Sequence, residues 1–151
     1  MRSFLYAFRG VGYTIKTEVH MRIHLVFTYY VIVAGFILHL RPAEWAAALL
    51  CIGIVTALEC LNTAIERLCD TVHPEKAEGI RIVKDVAAGA VLCAAIASAA
   101  VGCLLFLNSA SLTVMGAFFI ENKAISIFLI LTLIPLIFFV RGGKRDKNEH
   151  E

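Results

Sequence analysis

The residues best suited to chemistry lie in one short stretch, Glu59–Asp70, at the end of a hydrophobic run that begins near Ala46. A helix turns by about 100° per residue, which brings four polar side chains within about 80° of arc. These are Glu59, Asn62, Glu66 and Asp70. Carboxylates near hydrocarbon are costly unless something cationic meets them, so an acidic stripe on a membrane helix indicates metal binding or charge movement.

Two further polar groups stand at the ends of other apolar runs: Glu18 with His20, Arg22 and His24, and the pair Lys84-Asp85. Carboxylates on neighbouring elements can hold Mg²⁺, which takes one or two protein carboxylates plus substrate phosphate oxygens. A lysine can neutralise charge on a transferred phosphoryl group, and a partly desolvated glutamate can act as a general base on a hydroxyl. This set of residues fits phosphoryl transfer onto a lipid alcohol, and it also fits a cation or proton pathway.

Composition limits the class of protein. The chain has 151 residues, of which 60% are hydrophobic, and a mean hydropathy of +0.80, which predicts an all-α integral membrane protein of a few spans. A net charge of +2 without a long basic block argues against a nucleic-acid partner. Neither the P-loop signature nor the protein-kinase motifs occur, which excludes both of those enzyme classes.

Hydrophobic periodicity predicts an amphipathic surface helix over residues 3–17, followed by four spans. The spans are expected at about 25–40, 44–68, 86–107 and 124–140, with a short loop over 108–123 and a possible kink at Pro135. The charged tail, 141–151, is expected to be disordered. We divide the chain into a core, residues 1–110, and an extra spanning helix with its tail, residues 111–151.

The 14 lysines and arginines predict the orientation in the membrane. Twelve of them fall equally in the N-terminal segment, the connection between spans two and three, and the tail. The other two connections hold one each, Arg41 and Lys123. The positive-inside rule therefore predicts a multi-pass protein with both termini and the acidic stripe at the cytoplasmic face.

The polar motifs resemble those of the small bacterial membrane kinases of the diacylglycerol kinase and undecaprenol kinase family. The matching segments are Glu-x-x-x-Arg-x-His at 18–24, Glu-x-x-Asn-Thr-Ala-Ile-Glu-x-x-x-Asp at 59–70, and Lys-Asp-Val-Ala-Ala-Gly-Ala-Val at 84–91. Their order and spacing also match, and the resemblance covers about residues 3–107. It implies an ATP- and Mg²⁺-dependent lipid kinase, a phosphotransferase with an alcohol acceptor, in the bacterial inner (cytoplasmic) membrane.

The resemblance also implies an assembly and a set of residue roles. The expected assembly is a homotrimer with a surface helix and three spans per chain, and with active sites between protomers. Glu59 would be the general base on the lipid hydroxyl, and Glu18 and Glu66 would bind Mg²⁺. The residues expected to hold ATP and order the site are Asn62, Asp70, Lys84 and Asp85. The fourth span lies outside the resemblance.

Several alternatives stay open on sequence alone. His20 stands where many relatives have Asn, and the loop over residues 75–81 departs from the usual pattern. Ala-Ala-Gly-Ala after Lys84-Asp85 resembles the undecaprenol branch of the family more than the diacylglycerol branch, and this resemblance implies undecaprenol as the acceptor. A catalytically inactive, membrane-embedded partner or regulator of the same fold is the main alternative function, and a small cation or proton channel that uses the acidic stripe is another. Glu18 could simply form an ion pair with Arg22 one turn away. The spacing of His20 and His24, one helical turn apart, could also indicate a metal site.

Overall fold

The computed structural model describes residues 2–72 and 77–142, and within them every regular element is a helix. The helices are α1 (Arg2–Thr17), α2 (Val19–Ile37), α3 (Pro42–Val72), α4 (Glu78–Phe106), α5 (Ser109–Glu121), α6 (Lys123–Leu131) and α7 (Leu133–Arg141). The expected all-α architecture is confirmed. The expectations for residues 75 and 76 of the altered loop, and for all of the tail beyond Gly142, lie outside the described residues.

Four helical segments are long and apolar enough to cross a membrane: α2, α3, α4, and α6 with α7 taken together. Their number agrees with the sequence, but α2 and α4 begin six and eight residues before the expected bounds, and α3 extends past its own by two residues at the start and four at the end. The 31 residues of α3 would be about 46 Å long, against a hydrocarbon layer of about 30 Å. The apolar run therefore marks only the part of a helix that lies in lipid, and the polar turns continue the same helix into the interface.

Residues 108–123 do not form the expected loop, because most of them belong to helix α5. Asn108 begins this helix as its N-cap, and its Oδ1 accepts a hydrogen bond from the Ser111 backbone N–H at 2.9 Å. The Asn108 amide also donates to the carbonyls of Leu104 and Leu105 at the end of α4. One side chain thus ends one helix and starts the next, a capping pattern that an apolar-run count does not detect.

The fourth span is interrupted at Thr132, between α6 and α7. Pro135 lacks the N–H that would bond to the carbonyl four residues earlier, Leu131, which is the last residue of α6. The Thr132 hydroxyl donates to the Leu129 carbonyl at 2.6 Å within this irregular turn. The expected effect of Pro135 is therefore a break in the helix one turn before the proline.

Helix α1 lies against α2 and α3. Thr14 is its buried residue, and the Arg67 guanidinium of α3 lies 5.2 Å from the centroid of the Tyr13 ring, a cation–π contact. Phe4 and Phe8 remain largely exposed on another part of the helix, as expected for a helix that lies in the membrane interface. The chain then turns at Glu18 and enters α2.

The opposite end of α2 is fixed by a close approach to α3. A Cβ placed on Gly35 would lie only 2.7 Å from Trp45 Cη2, and the Trp45 ring packs 5.1 Å from the Phe36 ring. Only a glycine leaves room for the indole at this point. Packing of the Trp45 indole on Gly35 therefore holds α2 and α3 together at this corner.

We expect Gly35→Ala to displace Trp45 and to destabilise the protein by about 1–3 kcal/mol, the usual cost of overpacking. The matched control is Gly116→Ala on α5, where a new Cβ meets no atom within 4 Å. Alanine there is expected to be neutral or stabilising by up to about 1 kcal/mol. Trp45 is the only tryptophan, so its fluorescence reports on the site directly. An unchanged emission spectrum and melting temperature in Gly35→Ala would contradict this packing.

Candidate functional site

The acidic stripe lies on one continuous helix, α3, and its side chains become more exposed towards the helix end. The Glu59 side chain is 4% exposed and that of Asp70 is 61% exposed. Asn62 and Glu66 lie between them and are half-buried. The stripe therefore passes from the interior of the helix bundle to solvent, which is the arrangement a group needs if it must meet both a lipid and a water-soluble co-substrate.

His24 on α2 is the partner of the buried Glu59 carboxylate. Its Nε2 lies 3.2 Å from Glu59 Oε1, and its side chain is 26% exposed. On sequence alone, His24 was part of a polar motif and a possible metal ligand with His20, and the described residues contain no cluster of three potential ligands that would support the metal site. The spacing along α2 gave no sign of this contact, because it depends on how α2 packs against α3.

Glu18 directly precedes α2, and His20 lies exposed in the first turn of that helix. Glu18 is half-buried and occupies the N-cap position without capping the helix through its side chain. The simple Glu18–Arg22 ion pair is not among the ion pairs within residues 2–72 and 77–142. Arg22 instead donates to backbone carbonyls, which leaves the Glu18 carboxylate free for another role.

Asn62 and Glu66 form a unit one turn further along α3. The Asn62 amide donates to Glu66 Oε1 at 3.0 Å, while Asn62 Oδ1 is buried and has no hydrogen-bond partner among the described residues. A buried acceptor without a partner is costly. An amide oxygen beside a carboxylate is a hard-oxygen donor set of the kind that Mg²⁺ takes together with phosphate oxygens. Asn62 and Glu66 offer oxygen ligands of this kind, although the described residues contain no group of three His, Cys, Asp or Glu side chains that could hold a metal ion.

Two of the residues expected to hold ATP, Asp70 and Lys84, lie together at the solvent end of the stripe. Lys84, in the second turn of α4, forms an ion pair with Asp70 near the end of α3. Asp85 is exposed beside it. The structure thus brings Lys84 to the stripe as expected, but as the partner of one of the stripe's own carboxylates.

An apolar cavity of about 360 Å³ opens between α2, α3 and α4. Its lining includes His24 on α2 and Val55 on α3, and Val55 precedes Glu59 by one helical turn. From there the cavity extends along α3 to Ala48 and along α4 to Phe106. Such a site can hold an apolar chain while its polar end group lies near His24 and Glu59.

Comparison with known proteins agrees with the motifs. A family model described as prokaryotic diacylglycerol kinase matches residues 5–106. The undecaprenol kinase of Bacillus subtilis is 38% identical over 106 residues, covering 70% of this chain and 86% of that protein. The diacylglycerol kinase of Synechocystis is 47% identical over 105 residues, covering 68% of this chain and 60% of that protein. No solved structure gives a significant match.

We expect the His24–Glu59 contact to be visible as coupling in a double-mutant cycle. His24→Ala leaves a buried carboxylate without its partner and is expected to destabilise the protein by about 2 kcal/mol. The same change in a Glu59→Gln background is expected to cost clearly less, because a neutral amide needs the partner less. Thermal unfolding in detergent would measure all four proteins of the cycle. Equal effects of His24→Ala in both backgrounds would contradict the contact.

Proposed function

The chain belongs to the prokaryotic diacylglycerol kinase family, and from that premise we propose that it transfers the γ-phosphoryl group of ATP to the hydroxyl of a membrane lipid at the cytoplasmic leaflet. Membership of the family and the names of both relatives support a phosphotransferase with an alcohol acceptor that acts on a lipid. That the phosphoryl donor is ATP, that Mg²⁺ takes part and that transfer takes place at the cytoplasmic leaflet are what we propose in addition.

One observation carries this proposal: a buried carboxylate lies at the end of an apolar cavity. Glu59 is within one turn of the cavity wall and is held by His24, which itself lines the cavity. A lipid alcohol whose chain lies along α2, α3 and α4 would present its hydroxyl to this carboxylate. No water-soluble substrate would need so apolar a wall.

The residues suggest direct in-line transfer. Glu59 accepts the proton of the lipid hydroxyl, whose oxygen attacks the γ-phosphorus. The new oxygen–phosphorus bond forms as the bond to the β-phosphate oxygen breaks, and ADP leaves with the released charge. Lys84, at the solvent end of the stripe, is placed to reduce that charge, and Asp70 keeps the ammonium group in position.

The metal would be held by hard oxygen ligands close to this base. Glu18 and Glu66 are the proposed ligands, and Asn62 Oδ1, which has no hydrogen-bond partner among the described residues, offers a further oxygen. Bound Mg²⁺ would neutralise phosphate charge and orient the phosphate chain. Asn62, Lys84 and Asp85 would complete the nucleotide contacts at the exposed end.

The acceptor is undecaprenol or diacylglycerol, since the names of the two relatives differ in this respect. Ala87-Ala88-Gly89-Ala90 favours undecaprenol through its resemblance to that branch of the family. We further propose a homotrimer in the bacterial inner membrane. Much of α4 is exposed in the single chain, including Asp85, which is consistent with a neighbouring protomer completing the site.

The direct test is transfer of labelled γ-phosphate from ATP in mixed micelles that contain undecaprenol or diacylglycerol. We expect the wild type to label one lipid, and Glu59→Gln to lower kcat about 10²–10⁴-fold, the usual contribution of a general base. The matched control is Glu121→Gln, the same change on exposed α5 outside the family match, which is expected to keep wild-type activity.

Each alternative has its own outcome. No transfer to either lipid by well-folded wild-type protein with Mg²⁺ would contradict the proposal and favour the inactive partner. Ion flux through liposomes without nucleotide, abolished by Glu59→Gln, would favour the channel. Full activity in Glu59→Gln would show that another group is the base.

A further inference from the structure

Arg22 on α2 is one of the most deeply buried charged residues in the described part of the chain, with 2% exposure. Its guanidinium donates three hydrogen bonds to backbone carbonyls. Nη1 donates to Ile15 at 2.9 Å and to Lys16 at 3.0 Å, and Nε donates to Val140 at 3.1 Å. A buried arginine needs such partners, and here they come from two other helices.

These acceptors lie at helix C-termini. Ile15 and Lys16 belong to the last turn of α1, and Val140 to the last turn of α7. Carbonyls of a last turn lack intrahelical partners and carry partial negative charge, so a cation is favourable there. Arg22 therefore stabilises two helix ends at once, and one of them belongs to the span that lies beyond the family match, which ends at Phe106.

A second polar contact joins α2 to the fourth span. Tyr30 Oη lies 3.1 Å from Thr132 Oγ1, at the break between α6 and α7. Tyr30 follows Arg22 by two helical turns, and Thr132 precedes Val140 by the same interval. The two helices therefore run antiparallel in one fixed register. Thr132 at the break and the α7 residues Leu136 and Val140 are half-buried at four-residue intervals, whereas Ile134 and Phe138 on α7 are largely exposed.

We propose that Arg22 is a positioning residue through which the fourth span fixes the corner between α1 and α2. That corner consists of Thr17 and Glu18, directly after the carbonyls that Arg22 holds. Glu18 is a metal ligand in the proposed function, on which this inference rests. The guanidinium of Arg22 binds both the C-terminal end of the fourth span and the C-terminal end of α1. The fourth span thereby restricts the position of Glu18, which directly follows α1.

The first test is Arg22→Lys in the full chain, which keeps the charge but loses the forked donors that reach several carbonyls. Hydrogen exchange is expected to rise both in residues 14–20 and in residues 136–142. In the lipid kinase assay the half-saturating Mg²⁺ concentration is expected to rise about tenfold, the effect of losing about one hydrogen bond to a charged group. Excess Mg²⁺ should restore most of the rate, which it would not do for a protein that is simply misfolded.

The second test loosens the fourth span without altering Arg22. Tyr30→Phe with Leu136→Ala removes the polar contact at the break and side-chain packing on the half-buried face. It is expected to raise exchange in α7 and to raise the half-saturating Mg²⁺ concentration about threefold, since Arg22 keeps its bonds to α1. The matched control is Tyr29→Phe with Ile134→Ala, the same kind of change on the neighbouring tyrosine and on the exposed face of α7, and it is expected to alter neither.

The outcomes separate this inference from the proposed function. Higher exchange in α7 with an unchanged Mg²⁺ requirement would overturn the inference, and so would unchanged exchange at either helix end in Arg22→Lys. An equal effect of the control pair would show general loosening and would also overturn it. A wild type without lipid phosphorylation would count against the proposed function, while the exchange measurements would still decide whether Arg22 joins the fourth span to the corner.

Discussion

The structure depends on a carboxylate that cannot stand alone in a low-dielectric environment. Glu59 lies well inside α3, and its burial is tolerable only because His24 of α2 meets it at 3.2 Å. This requirement sets the packing of α2 on α3 near one membrane face, as Gly35 and Trp45 set it at the other corner. The apolar cavity between α2, α3 and α4 lies between these two fixed points.

The length of α3 links the two phases that the proposed reaction must join. A helix of 31 residues is longer than the hydrocarbon layer, so its polar last turns leave the lipid without any break in the helix. Rigid helical geometry then fixes the spacing between Glu59, the proposed base, and Asp70, which pairs with Lys84. A flexible loop in this place would not keep that spacing constant. Transfer between two bound substrates requires the spacing to be held within a fraction of an ångström.

Much of the fold and of the candidate site could be predicted from the sequence, because both follow from the periodicity and length of local apolar and polar runs. The periodicity of α3 placed Glu59, Asn62, Glu66 and Asp70 on one face, and four apolar runs predicted four spans. The errors have physical reasons: α5 begins with a side-chain cap on Asn108, and the helices continue past their apolar parts. Contacts distant in sequence, such as His24–Glu59 and Arg22–Val140, depend on helix packing, which no spacing rule contains.

The ion pair of Lys84 with Asp70 has a consequence for nucleotide affinity. A nucleotide phosphate bound at Lys84, as proposed, would find the ammonium group already engaged by Asp70, so its binding would exchange one anion for another. The pair is partly solvent-exposed and is worth at most about 1 kcal/mol, which limits the loss of affinity to about fivefold. In return the flexible lysine is already ordered, with its charge met by Asp70, before the proposed nucleotide arrives.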